Sequence, residues 1–334
     1  MIVTATLRIA VLTVLLIVSG AFPESFRPLR ELQRKHEAAV EAWSLCANVT
    51  DGKGTDLFYA LFFLSGKFFL VSGNFAHYSM LALPSNDYTH ESSTAVPPFK
   101  KVRHSYTSLD EKIGGHGIRG SAGADTITIE TGFKKLQSRF TVVPRKPPWT
   151  FREIIGANYA KRQFDWYLLP RCSVTVASNR PGAPRFSGHG HFQQFWGEKG
   201  EANCDWIVLH TATGYEMIIA HFPDDRKSLP YLPGDYILVS RPDGTSGKIT
   251  GFSFSMDKWW SGSASGRQYP LDYSVVTPDS TVNVTVAAFT AKQTKKIAGR
   301  EYWYGFGSVS GTIDGEEQRG WAYMAPLGKV KTDE

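Results

Sequence analysis

The sequence contains only three cysteines, Cys46, Cys172 and Cys204, and no two of them stand in a C-x-x-C spacing. Zinc ribbons and thioredoxin-like redox motifs need such pairs, so both classes are excluded. In an oxidising compartment the odd number allows one intrachain disulfide and one leftover thiol, which is either buried or joins two chains. A homodimer linked through the leftover cysteine is therefore one assembly that the sequence allows.

Common catalytic motifs are also missing. The sequence has no Walker loop and no H-E-x-x-H pair, and residues 262–266 resemble a G-x-S-x-G elbow but carry Ala264 where the nucleophilic serine would stand. Residues 115–120 match G-x-G-x-x-G, but a predicted strand follows them, so a bound pyrophosphate would meet no helix N-terminus. We expect a hairpin or loop at this position, and we predict no cofactor.

One pair of histidines has a spacing that suits a metal site. His189 and His191 lie two positions apart, which places both imidazoles on one face of a strand, as in cupin-type barrels. Such sites also need a nearby carboxylate, and the first acid downstream, Glu198, lies farther away than the usual cupin spacing. We therefore predict no metal and interpret both residues as hydrogen-bonding histidines.

The positive charge of the chain is mild and dispersed. Its 37 lysines and arginines exceed its 31 acidic residues by six, and no basic stripe with interleaved aromatic residues occurs. Such a distribution favours solubility and predicts no nucleic-acid partner.

The N-terminus reads as an export signal. Arg8 precedes an apolar run over residues 9–18, and the small residues 19–21 offer a cleavage site before Phe22. The run is about half of the roughly 20 residues that a membrane-spanning helix needs, so no membrane association is expected after cleavage. N-V-T sequons at Asn48 and Asn283 predict glycosylation. Together these features predict a secreted protein or one in the lumen of the secretory pathway or vacuole.

Strand patterns dominate the remainder of the chain. A short amphipathic helix is predicted over residues 26–40, and hairpin turns are predicted at residues 212–214, 242–244 and 314–315. Strands are predicted over residues 57–71, 125–130, 171–177, 206–211, 215–222, 249–256, 271–277, 282–289, 303–310 and 320–324. Many short strands joined by hairpins close most economically into barrels, because closure removes exposed edges. The proline-rich stretch over residues 143–156 is the predicted linker between domains 22–150 and 151–334.

Aromatic residues make up 13% of the chain and lie mostly within or beside the predicted strands. Each ring by itself is a common core residue. As a group, with histidine, glutamine and lysine side chains among them, they indicate a mostly apolar pocket with a few hydrogen-bonding groups.

Several motifs resemble, in sequence and order, the central signature of the AttH/CrtC-like lipocalin superfamily. The motifs are Gly188-His189-Gly190-His191-Phe192-Gln193-Gln194-Phe195-Trp196-Gly197, Asp205-Trp206 and Thr213-Gly214-Tyr215-Glu216-Met217, with Trp43, Pro147-Pro148-Trp149, Trp259 before Tyr269-Pro270, and Tyr302-Trp303-Tyr304-Gly305 in support. The resemblance implies two lipocalin-like antiparallel β-barrel or β-sandwich domains packed together. The superfamily includes carotenoid 1,2-hydratases and fungal Diels-Alderases.

The signal peptide and sequons are similar to the secreted fungal branch, which includes hetero-Diels-Alderases of tropolone sesquiterpenoid pathways. Residues 192–194 differ from the acid- and histidine-containing segment associated with the hydratases, and this disfavours acid-catalysed hydration, which needs a positioned acid. The resemblance thus implies a cofactor-independent pericyclase that directs a [4+2] cycloaddition of a small apolar polyene or quinone methide.

A cycloaddition needs two π-systems held face to face, and hydrogen bonds to a carbonyl add to the effect. The candidate hydrogen-bond donors are Gln193, Gln194, His210, Lys258 and Tyr302. The candidate substrate-binding residues are Trp43, His191, Trp196, Trp206, Trp259 and Trp303. Adjacent strand residues point to opposite faces, so without a bulge only one of the two glutamines can point inward.

Two alternatives remain open. A non-catalytic lipocalin-type carrier would use the same kind of pocket. A hydratase or isomerase would be favoured if Asp205 or Glu216 lay beside a histidine in the cavity.

Overall fold

The computed structural model describes residues 38, 40–68, 71–95, 102–103, 105, 108–120, 126–150, 164–180, 182–197, 204–222, 234–262, 266–297 and 300–330. The regular elements in these ranges are all β-strands, which confirms the predicted all-β class. The predicted signal peptide and the predicted helix over residues 26–40 fall outside the described residues, apart from positions 38 and 40. None of the described residues forms a helix long and apolar enough to cross a membrane.

The first twelve strands form one antiparallel sheet, named sheet A. They are β1 (Val40–Thr50), β2 (Asp56–Phe68), β3 (Val71–Leu83), β4 (Asp87–Ala95), β5 (Val102–Arg103), β6 (Asp110–Ile113), β7 (His116–Gly120), β8 (Ile127–Gly132), β9 (Gln137–Pro144), β10 (Trp149–Thr150), β11 (Phe164–Ser178) and β12 (Arg185–Gly197). Their order is β4-β3-β2-β1-β12-β11-β9-β8-β7-β6-β5, with β10 paired to β11. The sheet curls into a nearly closed barrel.

The remaining strands form a second sheet and a small ribbon. They are β13 (Asp205–Thr211), β14 (Glu216–His221), β15 (Tyr236–Ser240), β16 (Ser246–Ile249), β17 (Ser253–Ser261), β18 (Arg267–Val276), β19 (Val282–Ala288), β20 (Thr294–Ile297), β21 (Arg300–Trp303), β22 (Gly305–Ile313), β23 (Glu316–Ala325) and β24 (Lys329–Val330). Sheet B has the order β16-β15-β14-β13-β23-β22-β19-β18-β17, with β24 paired to β18, and forms a half-barrel. Strands β20 and β21 form the ribbon.

The predicted hairpin turns are confirmed. The three predicted turns join β13 to β14, β15 to β16 and β22 to β23, and the G-x-G-x-x-G segment lies in the β6–β7 hairpin. The single strand predicted over residues 249–256 is wrong. The chain turns between β16 and β17, where Gly251 has a φ of +74° that ends the extended conformation.

The change of sheet falls between Gly197 and Asp205, later in the chain than the proline-rich stretch. After that stretch, β11 returns to pair with β9, and β12 pairs with both β11 and β1. The prolines therefore interrupt pairing only briefly, and the strands that follow them complete the N-terminal barrel.

Each sheet surrounds an apolar core, and further apolar clusters lie where the two sheets meet. We call this meeting region the junction. One junction cluster contains Trp149, Trp166, Leu168, Phe195, Trp206, Val208, Ile218 and Leu238, and the other contains Cys46, Phe58, Leu81, Phe289, Phe306, Trp321 and Tyr323. Strand β1 is buried on both faces, because its odd residues fill the barrel and its even residues reach the junction.

The three cysteines are all free thiols and all buried, so the intrachain disulfide that their number allowed is not formed. Cys172 belongs to the core of sheet A, whereas Cys46 and Cys204 belong to separate junction clusters. Because no thiol is exposed, the structure offers no cysteine for a link to a second chain. The homodimer itself stays a prediction.

Candidate functional site

Strand β12 presents its odd-numbered residues to sheet B and its even-numbered residues to the barrel interior. Gln193 donates a hydrogen bond to Ser44 Oγ at 2.9 Å on the junction side, whereas Gln194 donates to Glu41 Oε1 at 2.5 Å on the opposite side. The two glutamines thus point to opposite faces, as the alternation of a strand requires.

A group of histidines connects the two sheets. His191 Nδ1 lies 3.0 Å from His210 Nε2, and the ring of His210 stacks on Trp321 with centroids 4.4 Å apart. Trp321 Nε1 donates a hydrogen bond to His189 Nε2 at 3.1 Å. His189 and His191 therefore share one face of β12, as their spacing predicted, and both contact groups of sheet B.

Burial keeps these imidazoles neutral. It lowers the pKa of His191 and His210 well below the usual value, and it lowers the pKa of His189 to about 4. Within the described ranges, no three His, Cys, Asp or Glu side chains converge in a way that could hold a metal ion.

The acid beside His210 is Glu216, whose Oε1 lies 3.9 Å from His210 Nδ1. Its carboxylate is completely buried and forms 2.5 Å ion pairs with Lys146, in the loop between β9 and β10, and with Arg171 on β11. Glu216 is therefore an acid beside the buried His210. It is, however, paired with two cations and connects the two sheets.

Asp205, the second acid of interest, faces His221 across the β13–β14 pair. Burial raises its pKa, and it accepts a hydrogen bond from the backbone N of Leu327 at 2.8 Å. His221 is oriented by Asp235, whose Oδ2 lies 2.9 Å from its Nδ1.

The most unusual polar group of the junction is Lys295 on β20. Only 3% of the residue is exposed, and its Nζ lies 4.9 Å from the ring centroid of Tyr304 and 3.4 Å from the hydroxyl of Tyr323. In the part of the chain that the structure describes, no carboxylate lies within ion-pairing distance of this Nζ. Burial lowers the pKa of Lys295 to about 7.

Titratable groups of sheet A are coupled electrostatically to Lys295. The Cys46 thiol and the imidazoles of His77 and His90 interact electrostatically with it. Burial raises the pKa of Cys46, and burial followed by the charge of Lys295 lowers the pKa of His77 to about 2. His77 Nδ1 lies 2.8 Å from Ser92 Oγ, and His90 is exposed on edge strand β4. We call this group the Lys295 site; its most exposed member is His90 on β4.

Apolar rings form the base of the Lys295 site. Phe58 contacts Phe289 and Phe306 with centroids 5.0 and 5.5 Å apart, and Phe306 contacts Tyr323 at 5.4 Å. A buried cation, hydroxyl donors and aromatic walls therefore meet in one place.

Two of the predicted site residues lie close to this site. Tyr302 stands directly opposite Lys295 in the β20–β21 ribbon and contacts Tyr304, with centroids 5.4 Å apart. His191 approaches Tyr323 at 6.5 Å between centroids, so the histidine group and the Lys295 site share Tyr323. Trp206 lies in the other junction cluster, edge-on to Trp166.

Other predicted site residues lie elsewhere. Trp43, Gln194 and Trp196 belong to the interior of sheet A. Trp303, at the end of β21, is completely buried in the core beneath sheet B, and its Nε1 donates to Ala291 O at 2.8 Å. Lys258 and Trp259 lie on edge strand β17. The Lys258 side chain is 70% exposed and pairs with Asp272 at 2.6 Å, and Trp259 is 38% exposed.

The two sequons differ in exposure. Asn283 is exposed on β19, whereas the Nδ2 atom of Asn48, to which a glycan would be attached, is buried. Glycosylation stays a prediction, and the exposure of the two side chains favours Asn283 over Asn48 as the site.

The sequence did not single out Lys295, His77 or His90, and it counted Tyr323 only among the aromatic residues. Lys295 is one of 37 basic residues and belongs to no motif. Its burial arises from contacts with strands that lie far away in the chain, so no local pattern marks it.

No family model and no curated protein matches the chain. Its fold is similar to those of several solved structures, which include the following three. They are an AttH-like protein from Nitrosomonas europaea (TM-score 0.70, 17% identity, covering 93% of this chain and 98% of the other), kievitone hydratase from Nectria haematococca (0.70, 14%, 92% and 95%) and CghA (0.51, 13%, 88% and 90%). At 13–17% identity, these similarities show a shared fold.

Proposed function

We propose that the chain is a cofactor-independent enzyme that binds an apolar polyene or quinone methide at the Lys295 site and directs its [4+2] cycloaddition. The observation that carries the proposal is the buried Lys295 ammonium, set among aromatic rings without a carboxylate partner in the described part of the chain. Charge that develops on a carbonyl oxygen in the transition state would be stabilised there more strongly than in water.

The proposed roles follow from position. Lys295 and the Tyr323 hydroxyl donate to a carbonyl of the electron-poor partner, since the two donors lie 3.4 Å apart and can converge on one oxygen. Phe58 and Phe306 pack against the apolar framework. Holding diene and dienophile together removes part of the entropic barrier, a contribution of several kcal/mol in well-oriented systems.

A comparison of cyclisation rates tests this proposal. Purified protein is incubated with a spontaneously cyclising polyene or quinone-methide precursor, and rate and stereochemistry are compared with buffer alone. We expect acceleration and one dominant stereoisomer, and we expect Lys295→Met to lower the rate about 100-fold. The exposed Lys292→Met is the matched control and should react as the unmodified protein does.

Equal rates and product ratios with and without protein would overturn the enzyme proposal. Tight, saturable binding with recovery of unchanged ligand would then identify a carrier.

A hydratase is the second candidate, and the titration of Lys295 favours it. A lysine with a pKa of about 7 can both donate and accept a proton at neutral pH, and this fold also occurs in kievitone hydratase. In such a reaction the Lys295 ammonium protonates an alkene carbon, water adds to the neighbouring carbon, and the proton released from that water returns to Lys295. Incorporation of oxygen from isotopically labelled water identifies hydration, because a cycloaddition incorporates none.

A further inference from the structure

The charge of Lys295 is incompletely balanced by the described residues around it. Transfer of an ammonium group into an apolar environment is costly unless an opposite charge or several hydrogen bonds accompany it. The described partners of Lys295 are the rings of Tyr304 and Tyr323 and one long hydrogen bond to a hydroxyl. These contacts stabilise a cation only in part.

The other titratable groups at the site supply no negative charge. Burial raises the pKa values of the Cys46 thiol and of the Tyr88 and Tyr323 hydroxyls, so these groups stay protonated at neutral pH. His77 and His90 have lowered pKa values and are neutral. When Lys295 is protonated, the site therefore combines one cation with several hydrogen-bond donors and no negative charge.

We infer that the ligand completes the Lys295 site with an anionic oxygen on a conjugated carbon framework, a phenolate or an enolate, which pairs with Nζ of Lys295. This inference rests on the proposed function for its location and narrows the substrate class. A delocalised anion suits the site because Phe58, Phe289 and Phe306 offer aromatic contact beside a single cation. A compact carboxylate or phosphate carries more localised charge, which is costlier to desolvate.

The proton balance of binding is simple. A neutral phenol or enol that meets the unprotonated amine loses its proton from oxygen to Nζ, so one O–H bond breaks and one N–H bond forms. With the unprotonated amine, no proton enters or leaves the complex. With the ammonium form, which predominates below about pH 7, the same ionisation of the phenol releases one proton to the solvent. At a pH above the pKa of Lys295 in the unliganded protein, binding therefore converts a neutral phenol into a bound ion pair.

4-Nitrophenol is a direct probe, because its phenolate form has its own absorption band. The titration is carried out about one pH unit below the probe's own pKa, where most of the free probe is protonated. We expect the phenolate band to increase with added protein and to saturate. 4-Nitroanisole, which has nearly the same shape but cannot ionise, should bind at least about tenfold more weakly.

Variants assign the effect to one side chain. Lys295→Met should abolish the phenolate band, Lys295→Arg should retain it, and Lys292→Met should match the unmodified protein. Lys295→Met replaces a buried charge by an apolar side chain of similar length, so we expect an unchanged circular dichroism spectrum and an equal or higher melting temperature.

Three results would overturn the inference: equal affinity for 4-nitrophenol and 4-nitroanisole, a phenolate band that persists in Lys295→Met, or tighter binding of 4-nitrobenzoate than of 4-nitrophenol. The inference and the proposed function can fail separately. Phenolate binding without any acceleration of a cyclisation would leave the anion site standing and remove the enzyme. Acceleration of the cyclisation without a preference for the phenolate would support the enzyme and overturn the anion site.

Discussion

At the residue scale, the junction depends on histidines that are kept neutral. His191 and His210 are completely buried and share one hydrogen bond, so one ring donates and the other accepts. A second proton on either ring would place a cation in the junction, and a second proton on the accepting ring would also remove the acceptor of this hydrogen bond. Neutral His191 and His210 are therefore compatible with the junction, whereas their protonated forms destabilise the folded state at low pH.

The variant His210→Gln tests this effect. Because the folded-state pKa of His210 lies below the unfolded value of 6.5, the unfolded chain binds more protons below pH 6.5, and stability falls as the pH falls. Above pH 6.5 both states are neutral and the group contributes no pH dependence. Glutamine keeps an amide near His191 but cannot titrate.

We expect the loss of unfolding free energy between about pH 6.5 and pH 5 to be about 1–2 kcal/mol smaller in His210→Gln. Urea unfolding at the two pH values measures it, and equal m-values confirm that the same transition is compared. An identical loss in both proteins would show that His210 is not the titrating group.

At the element scale, the glycines of β12 explain how the strand can follow β1 so closely. A Cβ at Gly190 would overlap the carbonyl oxygen of Cys46 and the backbone of Ala47, so only glycine fits. The close approach is part of the geometry that directs His189 and His191 to sheet B. The G-H-G-H pattern thus has a structural reason for its glycines and a junction role for its histidines.

Replacement of Gly190 by alanine should destabilise the protein by about 1–3 kcal/mol, because the clash involves backbone atoms that cannot rotate away. Gly117→Ala on β7 is the control, since a Cβ there meets only Glu111 O at an ordinary 3.7 Å. Thermal unfolding of both variants measures the difference. A Gly190→Ala protein as stable as the control would show that the two strands can separate at little cost.

At the scale of the whole molecule, the two sheets are joined by apolar clusters and by Glu216. This one carboxylate of sheet B binds Arg171 of sheet A and Lys146 of the β9–β10 loop. Lys146 also donates to the carbonyl oxygens of Gly214 and Arg241 at 2.6 Å. Loss of the charge would leave two cations without their partner in the junction.

Glu216→Gln should therefore cost about 3–5 kcal/mol and weaken the cooperation between the sheets. Calorimetry should show a broadened or two-step transition in place of one. Glu130→Gln is the control, because its pair with Arg139 lies at the surface and contributes about 0–1 kcal/mol. A single sharp transition with an unchanged midpoint in Glu216→Gln would contradict the linking role.

Features that depend on residues close together in the sequence could be predicted, and features that depend on residues far apart in the sequence could not. Most of the ten predicted strands and the three hairpin turns were predictable because alternation and turn residues act between near neighbours, whereas strands such as β1, β3 and β15 were not predicted. The opposite orientation of Gln193 and Gln194 followed from the same rule. The continuous strand over residues 249–256 was wrong because the alternation passes through Gly251, whose conformation the pattern does not show.

The sequence by itself determined the all-β class, the hairpins and the shared face of His189 and His191, since each depends on periodicity within one or two strands. Only the tertiary structure decided which strands complete the first barrel, which tryptophans lie in cores, and that Lys295 is buried beside Tyr304 and Tyr323. The physical reason is that burial and charge at a site depend on side chains brought together by packing. Trp321 and His189, for example, hydrogen-bond across 132 positions of sequence.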